Sequence, residues 1–270
     1  MITILAAIVI AYAAVIGALY FAQRSLMYHP GGGLATPTAS GVPEMVAITT
    51  DTEDGLRLVS WYRSAVAGRP TLIYFHGNAG AIDDRGGKVR PYLDAGYGVL
   101  LAGYRGYGGN PGSPTEAGLY ADADAALNYL KGLGVRPAEM VVYGESLGSG
   151  VAVEMAYQMS VAGEPAGAVV LEAPFSSMGD AAASHYPYVP ARILIRDKYQ
   201  SISKINAIGA PLFIVHGDSD RVVPIALGKR LFDAASSPKD ARWVRGAAHN
   251  DLYDFGAGKD VIDFVSLQIP

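Results

Sequence analysis

Three side chains in this chain could together turn a hydroxyl into a nucleophile. Ser146 stands in Gly144-Glu145-Ser146-Leu147-Gly148, directly after the apolar run Val141-Val142-Tyr143. Gly-x-Ser-x-Gly between a strand and a helix is the sharp turn that lifts a serine hydroxyl out of a sheet. Glycine on either side lets the backbone turn tightly and pack closely. A serine hydroxyl is a poor nucleophile at neutral pH and needs a base beside it. The histidines after the turn are His185, His216 and His249. His249 lies in Gly246-Ala247-Ala248-His249-Asn250, where small neighbours let an imidazole reach inward. His216 ends an apolar run and reads as structural; His185 lies in a Pro/Tyr-rich segment. The base in turn needs a carboxylate to hold its tautomer. Asp220 opens the turn Asp220-Arg221-Val222-Val223-Pro224 and gives the order Ser, Asp, His, one of the orders in which this triad recurs. Glu172 is the main rival acid, Asp251 is a further carboxylate, and Asp218 is placed to orient the same turn.

The reaction also needs two N–H groups aimed at the developing oxyanion. One is expected from Leu147, just after the nucleophile. The other is expected from Asn78, in the loop His76-Gly77-Asn78-Ala79-Gly80 that follows an earlier strand. Without context the glycine motif means little, since a chain with 33 glycines can carry a glycine-rich turn opening an ordinary helix.

The context is a βα alternation. A hairpin through Asp54-Gly55 joins two strand-like runs near residues 46–49 and 56–62. Apolar, β-rich runs follow at 71–75, 97–102, 141–143, 167–171, 211–215 and 241–244, with helical patterns between them. Residues 114–132 read as one of those helices, with Thr115 as its cap. Strands apolar throughout and alternating with helices predict an α/β fold with a mostly parallel sheet covered on both faces. In such a sheet ligands sit beyond the carboxyl ends of the strands, and every loop with unusual chemistry here follows a strand.

Composition narrows the rest. Net charge is −4 and there is no basic cluster, so nucleic acid is not an expected partner. There is no cysteine, and the five histidines do not fall at metal-ligand spacing, so neither a metal nor an organic cofactor is implied. Residues 2–22 carry no charge and only Thr3 is clearly polar. As a helix they would be about 30 Å long, the thickness of a bilayer's hydrocarbon. The expectation is a single-pass transmembrane anchor over residues 1–22, a linker over 23–44 and a catalytic domain over 45–270. A cleaved signal peptide is the competing reading, but no Lys or Arg precedes the apolar run. Arg24, the nearest basic side chain, favours a cytoplasmic catalytic domain.

The chain resembles the α/β-hydrolase superfamily over about residues 45–270. The likeness is carried by His76-Gly77-Asn78-Ala79-Gly80, Tyr104-Arg105-Gly106-Tyr107-Gly108, Gly144-Glu145-Ser146-Leu147-Gly148, Ala173-Pro174-Phe175-Ser176-Ser177, His216-Gly217-Asp218-Ser219-Asp220 and Gly246-Ala247-Ala248-His249-Asn250. Within that superfamily it is most similar to single-pass membrane-anchored α/β-hydrolase-domain proteins, a group that includes depalmitoylases. The resemblance implies the triad Ser146, Asp220 and His249, with Asn78 and Leu147 as oxyanion donors. Gly103 stands where relatives often carry Asp, and Ala81 where they often carry Asn. The lipidated cysteines of depalmitoylases are absent. The superfamily's cap falls at about 174–204, where Tyr186, Tyr188 and Val189 could line an acyl pocket.

The expected activity is a membrane-anchored serine esterase or thioesterase acting on acyl or lipid-like substrates, such as lipids or acylated proteins. The alternatives are a serine peptidase or amidase using the same triad, and a non-catalytic membrane-tethered binding protein on a hydrolase fold.

Overall fold

A computed structural model describes residues 2–269. Met1 and Pro270, the outer ends of the expected anchor and catalytic domain, lie outside the described residues. The strands are β1 (His29–Pro30), β2 (Val46–Asp51), β3 (Arg57–Arg63), β4 (Thr71–Phe75), β5 (Ala79–Gly80), β6 (Gly98–Ala102), β7 (Met140–Glu145), β8 (Ala168–Glu172), β9 (Leu212–Gly217) and β10 (Lys239–Val244). The helices are α1 (Ile2–Met27), α2 (Gly86–Asp94), α3 (Glu116–Gly132), α4 (Leu147–Val161), α5 (Met178–His185), α6 (Ala191–Leu194), α7 (Ile225–Ala234) and α8 (Ala257–Gln268).

Eight strands form one sheet in the order β10-β9-β8-β7-β4-β6-β3-β2. The hairpin β2–β3 turns at Gly55, whose φ of +85° favours glycine. β3 meets β6 antiparallel, and from β6 to β10 every neighbour is parallel. The expected mostly parallel α/β sheet is therefore borne out. Residues of β4 alternate between its two faces. Ile73 and Phe75 pack with Leu119, Leu130 and Val151 of α3 and α4, whereas Leu72 and Tyr74 pack with Val89, Val261 and Phe264 of α2 and α8.

The strand order places the site. β6 pairs with one edge of β4 and β7 with the other, so the chain reverses direction across the sheet between them. A crevice opens at the carboxyl ends where the order reverses. The loop after β4 carries Asn78 and the turn after β7 carries Ser146, so the two face one crevice. The loops after β9 and β10 bring Asp220 and His249 to the same end of the sheet.

α1 runs past Ala22 to Met27 and is long and apolar enough to cross a membrane by length and composition. Its last turns are held to the domain. Arg24 pairs with Asp197 (2.8 Å), and the Gln23 Oε1 accepts the Arg196 N–H (2.7 Å). The stretch expected as a linker is also structured: β1 pairs parallel with β5, and Val42 is buried in the core.

Candidate active site

Ser146 joins β7 to α4 with φ +50° and ψ −113°. A non-glycine residue so placed costs on the order of 1–3 kcal/mol and persists only where its surroundings dictate it. Its N–H donates to the Glu172 carbonyl (2.8 Å). A Cβ on Gly144 would overlap the Gly148 carbonyl, and one on Gly148 would overlap the Phe75 carbonyl of β4. Both glycines are demanded by close approach, because α4 starts hard against the neighbouring strand.

His249 Nε2 lies 3.0 Å from Ser146 Oγ, and its Nδ1 lies 2.7 Å from Asp220 Oδ2. With Nδ1 donating to the carboxylate, Nε2 is left free to accept the serine proton. Asp220 Oδ1 accepts the N–H groups of Val222 and Val223, each at 2.8 Å. His216 Nε2 is 3.2 Å from Asp220 Oδ2. Burial alone would raise the Asp220 carboxyl, but hydrogen bonds from His216 and His249, the His249 charge and the Val223 N–H outweigh it, holding it well below the ordinary carboxylate range.

The other carboxylates are occupied elsewhere. Asp218 accepts the Gly246 N–H (2.7 Å), tying the Asp220 loop to the His249 loop, and Asp251 accepts the Ala248 N–H (2.7 Å). Glu172 is buried against Lys88 (2.6 Å) and the Tyr143 hydroxyl (2.6 Å). His185 Nε2 meets the Val222 carbonyl (2.8 Å).

Asn78 is clamped on three sides. Its carbonyl accepts from His29 N–H (2.8 Å) and the Tyr107 hydroxyl (2.9 Å), and its side chain donates to the Met27 carbonyl (2.8 Å). Among the described residues, the N–H groups of Asn78 and Leu147 take no protein partner. The next loop keeps its anchor without an acid at 103. A Cβ on Gly103 would overlap the Val59 carbonyl, and Arg105 is bound instead by Asp122 (2.8 Å) and Asp54 (2.7 Å).

Behind the turn lies a buried ionic cluster that nothing in the local sequence announces. Glu145 pairs with Arg85 (2.7 Å) and Lys88 (3.0 Å), and Lys88 bridges to Glu172. Burial would raise the Glu145 carboxyl, but the Lys88 and Arg85 charges hold it down. Fully buried, His76 is lowered to about 3, first by desolvation and then by the nearby Arg85 charge.

Ser146 opens into a cavity of about 420 Å³ with mainly apolar walls. Tyr186 and Val189 of the cap line it. Tyr188 does not, a correction to expectation: its side chain is 86% exposed and its carbonyl is turned toward Tyr12 of α1. Side chains of α1 form another wall, among them Ile16, Leu19 and Met27.

Sequence comparison bears on this arrangement. An uncharacterized protein of Mycobacterium tuberculosis (strain ATCC 25618 / H37Rv) is 40% identical over 251 residues, covering 92% of this chain and 88% of that protein. Alpha/beta hydrolase domain-containing protein 17B of Homo sapiens is 33% identical over 213 residues, covering 77% of this chain and 70% of that protein. The chain belongs to the α/β-hydrolase domain family. Lysophosphatidylserine lipase ABHD12 of Danio rerio, another relative, is 35% identical over 198 residues; the match covers 66% of this chain and 51% of that protein. Among solved structures, the Pyrococcus furiosus esterase Pf2001 shares the fold with a TM-score of 0.70, covering 90% of this chain and 100% of that one at 20% identity. No family model matches the chain.

Two predictions follow from the charges. Lys88→Met leaves Glu172 and part of Glu145 uncompensated in the interior, so urea unfolding should show a loss of about 3–5 kcal/mol; adding Glu172→Gln should restore part of it. Asp220 has a depressed native pKa, so its contribution is present above its unfolded value of about 3.9 and lost as pH falls below it. Unfolding free energies of wild type and Asp220→Asn should therefore differ most near neutrality and converge in acid.

Proposed function

We propose that this chain is a membrane-anchored serine hydrolase that cleaves carboxylic esters or thioesters of acyl, lipid-like substrates through an acyl-enzyme. The observation that carries the reading is the run of hydrogen bonds from Ser146 through His249 to Asp220 at the mouth of an apolar cavity. The esterase and lipase named among its relatives and structural neighbours support ester hydrolysis as the reaction. The apolar helix α1 supports the membrane location.

In the proposed reaction Ser146 Oγ attacks the acyl carbon while His249 Nε2 takes the hydroxyl proton. Asp220, ionised throughout, keeps the imidazole in the right tautomer and stabilises the imidazolium. The carbonyl oxygen gains the negative charge and is held by the Asn78 and Leu147 N–H groups. The tetrahedral intermediate collapses, His249 gives the proton to the departing alcohol or thiol, and the acyl group stays on Ser146. Water then gives a proton to His249 and attacks the acyl carbon. The acid leaves as His249 returns that proton to Ser146.

A fluorophosphonate should label the folded protein, and Ser146→Ala should abolish labelling without altering the circular dichroism spectrum. Asp220→Asn should lower kcat on an ester by roughly 10⁴-fold through the wrong tautomer. Absence of labelling in folded wild type would favour a non-catalytic binding protein. Faster cleavage of aminoacyl amides than of acyl esters would favour a peptidase.

A further inference from the structure

A helix serving only as a tether would leave the catalytic cavity to the domain's own side chains. α1 does not. Ile16, Leu19, Tyr20, Gln23, Leu26 and Met27 all line the cavity that contains Ser146. Their spacing of three and four residues puts them along one face of the helix. That face is pinned over its whole length. Tyr12 Oη donates to the Tyr188 carbonyl (2.8 Å), Arg24 pairs with Asp197 (2.8 Å), and the Met27 carbonyl accepts from the Asn78 side chain (2.8 Å). The cap supplies further lining through Met178, Ala182, Tyr186, Val189 and Leu194.

Length adds a second constraint. Crossing the hydrocarbon takes about 20 helical residues. From Tyr12 onward α1 is held to the cap, and residues 2–11 alone would reach only about 15 Å. The helix crosses a bilayer only if the cap beside it also lies in the apolar layer. The cap presents exposed apolar side chains of its own: Tyr188 and Ile193 are 86% and 79% exposed.

The geometry points to α1 as part of the substrate site: the acyl chain of a bilayer-resident lipid ester enters between α1 and the cap and lies along the Ile16–Leu19–Met27 stripe, with its carbonyl at Ser146. This rests on the hydrolase reading above and narrows its substrate to a lipid ester drawn from the membrane. The lipid ester needs no transfer through water. Its tail passes from the bilayer into a slot whose walls are equally apolar, so little hydrophobic free energy is lost on the way.

The test uses the full chain in lipid nanodiscs, with p-nitrophenyl palmitate and p-nitrophenyl butyrate as long and short esters. Leu19→Trp and Ile16→Trp each fill the stripe, and Phe21→Trp sits outside the cavity at an 83% exposed position. The ratio of kcat/KM for long over short ester should fall at least tenfold in the first two and stay at the wild-type value in the third. An unchanged ratio in both stripe variants, or an equal fall in Phe21→Trp, overturns the proposal. A second measurement is independent of turnover and of the variants. A photoactivatable fatty-acyl ether in the same nanodiscs should cross-link wild type within residues 16–27, and excess long-chain ester should compete. No competable cross-link in that stretch overturns the proposal. Competable cross-linking by a protein that cleaves no ester would instead sink the hydrolase reading and leave the acyl wall standing.

Discussion

The site depends on how closely α4 approaches β4. Gly148 lies against the Phe75 carbonyl and Gly144 against the first turn of α4, with no room for a Cβ at either. That contact forces the chain into the turn that gives Ser146 its positive φ, and the hydrogen bond from its N–H to Glu172 of β8 secures it. Loosening this packing would let Ser146 relax toward an ordinary backbone and draw its hydroxyl away from His249. The Leu147 N–H would also leave the crevice it shares with Asn78.

The ionic cluster beneath the turn serves the same end. Glu145 precedes Ser146 and Glu172 accepts its N–H, and both carboxylates are tied to Lys88 of α2. Two buried carboxylates so close would repel, and burial alone would push Glu145 toward the neutral acid. The shared lysine bridges the two side chains, and Arg85 adds a second cation on Glu145. β7, β8 and α2 are thereby held at one point directly behind the turn. Glu172 is thus a strut in this structure, and the carboxylate within reach of His249 is Asp220.

On the other side of Ser146 the architecture departs from a tether followed by a linker. β1 lies along β5, and the chain leaving α1 grips Asn78 through Met27 and His29. The loop proposed to hold the oxyanion is therefore braced by the segment that emerges from the apolar helix. Position of α1, shape of the Asn78 loop and width of the cavity are mechanically connected, although they belong to stretches that are far apart in the chain.

Much of this was legible in residue order. Apolar runs alternating with helical patterns are local signals, and a parallel sheet with loops at its carboxyl ends follows from them, as β4 and β6 to β9 demonstrate. Ser146, Asp220 and His249 stood out for the same reason, since each lies in a loop just beyond such a run. Tertiary structure alone decided which face of α1 meets the cavity, because a helix apolar all round carries no amphipathic signal. It alone decided that Val189 and Tyr186 turn inward while Tyr188 turns out, since that segment follows neither helical nor strand periodicity. Pairing of β1 with β5 is too short to leave a pattern, and the bond from Lys88 to Glu172 joins residues 84 positions apart. Local periodicity encodes elements and their ends, whereas contacts between distant segments depend on three-dimensional packing that no stretch of the chain records by itself.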